Sequence, residues 1–173
     1  MSLTLTIEQD QDSENPRTAY DNLGTMVCFH GRYNLGDKHD FDSPADFEAR
    51  RKQSDVVLCL PLYLYDHSGI TIATKPFSCP WDSGQVGYIY ITREQVCKEY
   101  GCKRIGKKVL EKVAKVLQSE VETYDLYLRG EVYGYVIKDE QDGVIDSCWG
   151  FYGEDYCREQ GEEALKVLER RAA

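Results

Sequence analysis

The 173-residue chain lacks the short motifs that identify common catalytic sites. It has no glycine-rich phosphate-binding loop, no serine nucleophile motif at a strand-to-helix turn, and no ligand spacing that specifies a metal. No apolar run reaches the roughly 18 residues that a membrane span requires. The sequence therefore indicates no cofactor, no metal site and no membrane segment, and it identifies no reaction.

Basic residues are scarce relative to acidic ones. Thirty Asp and Glu face twenty-one Lys and Arg, for a formal charge of −9. Direct binding of nucleic acid needs a basic face, so the acidic balance excludes nucleic acid as the ligand. Two interpretations stay open: the acids keep the protein soluble, or an acidic face competes for a basic, nucleic-acid-binding protein. The residues assigned to such a face are Asp37, Asp40 and Asp42.

Seven cysteines and three histidines supply the nucleophilic and metal-ligating groups. No cationic and apolar leader is visible, so a reducing cytoplasm and free thiols are expected. Cys28 and His30 lie two apart on a predicted strand, which places them on one face. They are either a thiolate and its base or a buried cysteine beside a hydrogen-bonded histidine. Cys97 and Cys102 straddle a predicted helix end and do not form a zinc knuckle.

Hydrophobic periodicity predicts an α+β fold. We expect an antiparallel or mixed sheet of about six strands, with one long amphipathic helix across a face and shorter flanking helices. The chain is predicted to be a single domain over residues 1–173. Within it, residues 8–18 form a polar loop, residues 105–128 the main helix and residues 154–171 a C-terminal helix.

Local signals define several boundaries. Ser43 followed by Pro44 predicts a helix start, and Thr92 with Gln95 has the spacing of a capping box. Two turns, Asp66–Gly69 and Gln141–Gly143, predict β-hairpins. The first turn contains Asp, His and Ser, but adjacent turn residues cannot form a catalytic relay with one another.

Three segments interrupt these periodicities with Cys, Trp, Gly, His, Tyr and Asp: Tyr20–Asp37, Pro76–Thr92 and Asp146–Tyr156. Their glycines predict exposed recognition loops. In that interpretation the partner-binding residues are Trp81, Asp82, Trp149, Phe151 and Tyr152, since Tyr and Trp dominate binding hot spots. The alternative is that the aromatic residues pack a sheet.

The runs Asp21–Asp37, Pro76–Gly87 and Asp146–Gly153 together resemble a family of small proteins carried by tailed bacteriophages and prophages. The resemblance spans roughly residues 3–156 and transfers no activity to any residue. It implies an accessory protein in the cytoplasm of the bacterial host. Such proteins often inhibit host defence, as anti-CRISPR and anti-restriction proteins do.

The sequence therefore favours non-enzymatic binding of a host protein, with a nucleic-acid-binding defence protein as one candidate partner. Two alternatives stay open. One is a hydrolase that depends on Cys and His or on a metal and acts on a host molecule. The other is a structural or replication accessory protein of the phage. The sequence leaves the partner's identity and the oligomeric state open.

Overall fold

The computed structural model describes residues 2–172, which contain seven strands and five helices. In chain order these are β1 (Thr4–Gln9), α1 (Pro16–Ala19), β2 (Thr25–Cys28), α2 (Pro44–Lys52), β3 (Val56–Asp66), β4 (Ile70–Ala73), β5 (Ser83–Thr92), α3 (Arg93–Tyr100), α4 (Lys107–Leu128), β6 (Val132–Lys138), β7 (Val144–Tyr152) and α5 (Glu154–Ala172). The α+β class is confirmed. Every helix of the described part is too short or too polar to cross a membrane.

The chain forms two compact units. The terminal unit comprises Met1–Asn15 and Leu126–Ala173, and the central unit comprises Pro16–Asp125. Each unit is described by itself below. The single domain expected over residues 1–173 stays a prediction.

The central unit is built on a four-stranded antiparallel sheet in the order β2-β5-β3-β4. The hairpin predicted at Asp66–Gly69 is confirmed, since β3 and β4 pair across it. Apolar residues of these strands fill the core: Met26, Val27, Leu62, Leu64, Ile72, Val86, Ile89 and Ile91.

Helix α4 supplies the other side of this core. Its buried residues, Val113, Leu117, Val121 and Tyr124, recur at the spacing of one helical face. A Cβ atom on Gly24 would lie 2.4 Å from Leu117 Cδ2, so only glycine allows this close approach. The predicted start at residue 105 is two residues early. Gly106 precedes the helix, and its carbonyl accepts the first helical hydrogen bonds.

The capping signals act as predicted. Ser43 Oγ accepts a hydrogen bond from Asp46 N at 3.1 Å, and Pro44 occupies the first helical turn of α2. Thr92 and Gln95 form a reciprocal capping box at α3. Gly101 ends that helix in the left-handed conformation, with φ of 60°.

The terminal unit is a three-stranded antiparallel sheet, in the order β1-β6-β7, with α5 packed on one face. Tyr135, Ile137 and Cys157 are buried at the centre of that contact. The predicted hairpin at Gln141–Gly143 is confirmed, because β6 and β7 pair across it. The helix predicted over residues 154–171 is also confirmed, as α5.

Two structural expectations were wrong in detail. The strands number seven and form two antiparallel sheets, whereas one sheet of about six was expected. The periodicity of a strand does not specify its partner, and β1 pairs with β6, which is more than a hundred residues away. The polar loop predicted over residues 8–18 is shorter at both ends. Glu8 and Gln9 pair with β6, and Pro16–Ala19 is a short helix.

Candidate functional site

Two of the three unusual segments meet on the central sheet, where β2 pairs with β5. Beyond the end of β2 they border an open groove of about 320 Å³. Its lining is mainly polar: Phe29, His30, Arg32, Leu64, Asp66, Trp81, Asp82, Ser83, Gly84, Gln85 and Val86. This central groove is the candidate site, since it collects His30, Trp81 and Asp82, which sequence analysis had singled out separately.

His30 is fixed at one side of the central groove by the backbone that follows it. Its Nδ1 accepts hydrogen bonds from Arg32 N and Tyr33 N, each at 3.2 Å. A ring nitrogen that accepts a hydrogen bond carries no proton, so neutral His30 is protonated at Nε2. The imidazole also stacks on the Tyr33 ring, with 4.9 Å between centroids. Orientation and tautomer are therefore both set.

Asp66 lines the central groove and contacts several of the residues around it. Its carboxylate pairs with the Arg32 guanidinium and accepts a hydrogen bond from Tyr33 Oη at 3.2 Å. Its backbone N donates to the carbonyl of Asp82 at 2.8 Å. From the sequence, Asp66 was interpreted only as a residue of the hairpin turn. The order of residues does not show that the pairing of β3 with β5 brings Asp66 beside Trp81 and Asp82.

Trp81 is the most exposed large apolar side chain among the described residues, at 91%. One carboxylate oxygen of its neighbour Asp82, Oδ2, contacts Cys79 Sγ at 3.8 Å and His67 Nδ1 at 3.3 Å. The expected loop is shorter than predicted, since β5 begins at Ser83. An anchored turn thus presents an indole to solvent.

The chemistry of Cys28 argues against a nucleophile. Burial, together with the charge of Asp37, raises the pKa of the Cys28 thiol to about 12, although Arg17 lowers it in part. At neutral pH the thiol is protonated, and only a thiolate attacks. The prediction that Cys28 and His30 share one face assumed that both lie on a strand. Strand β2 ends at Cys28, so His30 lies outside it.

Asp37 belongs to a buried ionic network. Arg17, whose side chain is 1% exposed, donates from Nε and Nη2 to Asp37 at 2.9 and 2.7 Å and from Nη1 to Glu120 at 2.9 Å. Asp37 also accepts from Met26 N, and Glu120 from Leu23 N. Burial alone lowers the pKa of Arg17, but Asp37 and Glu120 raise it above its ordinary value. This geometry gives Asp37 a structural role.

The other two residues assigned to an acidic face are exposed. Asp40 pairs with Arg50, with both carboxylate oxygens 3.1 Å from Nη2, and this hydrogen bond lowers the pKa of Asp40. Asp42 N donates to the carboxylate of Asp46, next to the start of α2. The charge of Asp40 is therefore matched locally, which weakens its contribution to a negative field.

The third segment is not a loop: its residues up to Tyr152 belong to β7, and those from Glu154 begin α5. Trp149, which is 45% exposed, lies over Gly134 of β6, where an added Cβ would be 2.2 Å from the indole. Phe151 packs into the core of the terminal unit. Tyr152 donates its hydroxyl to the Glu14 carbonyl at 2.8 Å. A binding anchor has to be exposed, and of Trp149, Phe151 and Tyr152 only Trp149 is.

The acidic surplus is confined to one unit. The terminal unit carries fifteen acidic and six basic residues, whereas the central unit carries fifteen of each. This division of the charge between the units is not visible in the sequence, because the terminal unit combines residues from both ends of the chain. Within residues 2–172, no three His, Cys, Asp or Glu side chains are grouped closely enough to hold a metal.

No family model matches this chain, and no curated protein or solved structure matches it significantly. The resemblance to phage proteins therefore stays a prediction. What the central groove can do follows from its own chemistry. It offers one exposed indole, one oriented imidazole and two carboxylates, of which Asp66 pairs with Arg32 and Asp82 contacts His67, an arrangement suited to recognition.

Proposed function

We propose that this protein is a non-enzymatic binding protein, and that it binds and inhibits a host protein on behalf of a phage. Its purpose in this proposal is defence inhibition of the anti-CRISPR or anti-restriction kind. The observation that carries the binding function is Trp81, 91% exposed at the rim of the central groove. The phage context comes from the resemblance of the three segments.

An exposed indole on an anchored turn favours tight association. Trp is among the residues most enriched in binding hot spots, where truncation costs about 2 kcal/mol or more. The turn around Trp81 is pinned by Asp82 and by the Ser83 hydroxyl, which donates to the Cys79 carbonyl. Little conformational freedom of the backbone is then lost on binding, which preserves affinity.

The polar lining of the central groove supports specificity. Arg32 is 72% exposed while it pairs with the more buried Asp66, so the remaining guanidinium donors are available to a partner. His30 presents Nε2 in a defined orientation. A partner must match these donors, because groups left unpaired in an interface weaken binding.

Affinity capture of tagged protein from a defence-positive host lysate tests the proposal. Wild type and Trp81→Ala are compared, with Tyr156→Ala as the matched control because Tyr156 is also an exposed aromatic residue, at 53%. We expect one stoichiometric host protein with wild type and with Tyr156→Ala. With Trp81→Ala its retention should fall by at least about thirtyfold, the equivalent of a 2 kcal/mol hot spot.

One outcome would contradict the proposed site, and another the proposed function. Equal retention by folded Trp81→Ala would remove the central groove from the interface. No retained partner at low or high salt would overturn the binding function itself and return attention to the hydrolase alternative. Loss at high salt alone would assign the affinity to exposed charges, since salt screens these first.

A further inference from the structure

Strand β7 leaves one edge of the terminal sheet open. It pairs only with β6, and within residues 2–172 no other strand pairs with it. Val144 is 59% exposed, Ile145 42% and Trp149 45%. The stretch Val144–Trp149 contains no Lys, Arg or Pro, which natural edge strands often use to prevent unwanted pairing, and Asp146 is its one charged residue.

A groove of about 460 Å³ lies between this part of the sheet and α5. Its lining consists of Tyr135, Asp146, Cys148, Phe151, Gln160, Glu163, Ala164, Val167, Leu168 and Arg171. Asp146 and Cys148 lie opposite Ile137 and Tyr135, so alternate side chains of β7 face α5. A strand added beside β7 would send its own alternate side chains into the same groove.

Charge decides which occupant fits. The terminal unit has fifteen acids and six bases, and acids flank β7 at both ends. Those at the two ends are Asp139, Glu140 and Asp142 in the turn before it, and Glu154 and Asp155 at the start of α5. Pairing with a second copy through β7 would bring the same acids together, and like charges disfavour that association.

We propose that β7 accepts an extended basic peptide segment of a partner protein as a fourth strand. Backbone hydrogen bonds to the open edge supply affinity. Lysine or arginine side chains lay their apolar stems on Val167 and Leu168 and direct their charges to Asp146 and Glu163. This surface is separate from the Trp81 proposal and does not depend on it.

The probe is a fluorescein-labelled peptide of about seven residues, alternating lysine and valine, which is long enough to cover one strand. We expect saturable binding to the full chain by fluorescence anisotropy. A peptide with glutamate in place of lysine, and a basic peptide with alternate backbone nitrogens methylated, should each bind at least about tenfold more weakly, because the first reverses the charge and the second removes strand donors.

Two readouts locate the bound peptide. Cys148 is the exposed member of the seven described cysteines, so the peptide should slow its alkylation by N-ethylmaleimide. It should also slow amide exchange over Val144–Trp149. The double variant Asp146→Asn with Glu163→Gln should weaken binding roughly tenfold, as two lost charge pairs allow. Asparagine retains an acceptor for the Tyr135 hydroxyl, which lies 3.3 Å from Asp146.

The matched control is Glu162→Gln with Glu169→Gln, which removes the same charge from α5 outside the groove lining. The control should bind the basic peptide within about twofold of wild type. The proposal is overturned by equal loss in both double variants, by undiminished binding of the methylated peptide, or by no binding at all. A dimer that protects Cys148 without peptide would assign the edge to a second copy and would also overturn it.

Discussion

The two units differ in charge and in how they use it. The central unit is neutral overall, and its one buried cation, Arg17, is matched by Asp37 and Glu120. The terminal unit carries the entire surplus of nine acids, largely on exposed side chains of its loops, turn and C-terminal helix. A net charge computed for the whole chain therefore describes neither unit. Under the proposed binding function, steering of a basic partner is therefore assigned to the terminal unit.

The largest expected effect is on the buried network of the central unit. Arg17→Met leaves Asp37 and Glu120 without their cation and should lower the free energy of unfolding by about 3–5 kcal/mol. Arg50→Met is the matched control, since Arg50 pairs with the exposed Asp40, and it should change stability far less than Arg17→Met does. Urea unfolding followed by circular dichroism measures both. Equal losses would mean that the network does not hold the central unit together.

A smaller effect is expected in the terminal unit. Gly134→Ala places a Cβ 2.2 Å from the Trp149 ring and should cost about 1–3 kcal/mol through overpacking. Trp149 fluorescence should also shift as the indole is displaced. Gly84→Ala is the control, because nothing lies within 4 Å of the added atom. An unchanged spectrum and stability in Gly134→Ala would contradict the described packing of Trp149.

Alkaline pH tests the burial of Cys28 in the central unit. The folded pKa, about 12, lies above the ordinary value of 9.0. Between these values the unfolded chain has lost a proton that the folded chain retains, so stability falls as pH rises. We expect this decline to be shallower in Cys28→Ala. Urea midpoints from pH 8 to 10.5 measure it, and parallel slopes for the two proteins would contradict burial of the thiol.

The smallest effect concerns the surface of the central unit. Asp40→Asn removes an exposed partner of Arg50, and solvent screens that pair, so stability should be nearly unchanged. Asp37→Asn removes the same charge from the buried network and should cost several times more. Thermal unfolding of the pair gives the comparison directly. A larger loss for Asp40→Asn would reverse the assignment of structural and surface acids.

Local rules predicted much of the fold. The stripe of α4, the cap at Ser43 and the hairpin turns depend on residues near in sequence, and each is confirmed. Pairing between distant segments was beyond such rules. Glu8 looks like a loop residue until β6 provides its partner. Gly150 suggests a loop, yet β7 continues through a bulge at this point, because it pairs with β6 on both sides of the bulge.

The candidate site was predicted in part for the same reason. Trp81, Asp82 and His30 stand out by residue type, and all three line the central groove. Asp66 and Arg32 complete it only because three strands bring them together. Asp37 has the composition of a surface acid but pairs with Arg17, twenty positions earlier. Spacing in sequence gives no sign of that pairing.

The pairing of β1 with β6 has a consequence for synthesis on the ribosome. The register joins Thr4 to Lys138, so the first strand emerges long before its partner is translated. Meanwhile Leu3, Leu5 and Ile7, which later pack against the buried cluster of the terminal unit, have no native sheet to join. During this interval the charges of Glu8, Asp10 and Asp12, at the end of β1 and just after it, disfavour association of the exposed strand with other chains.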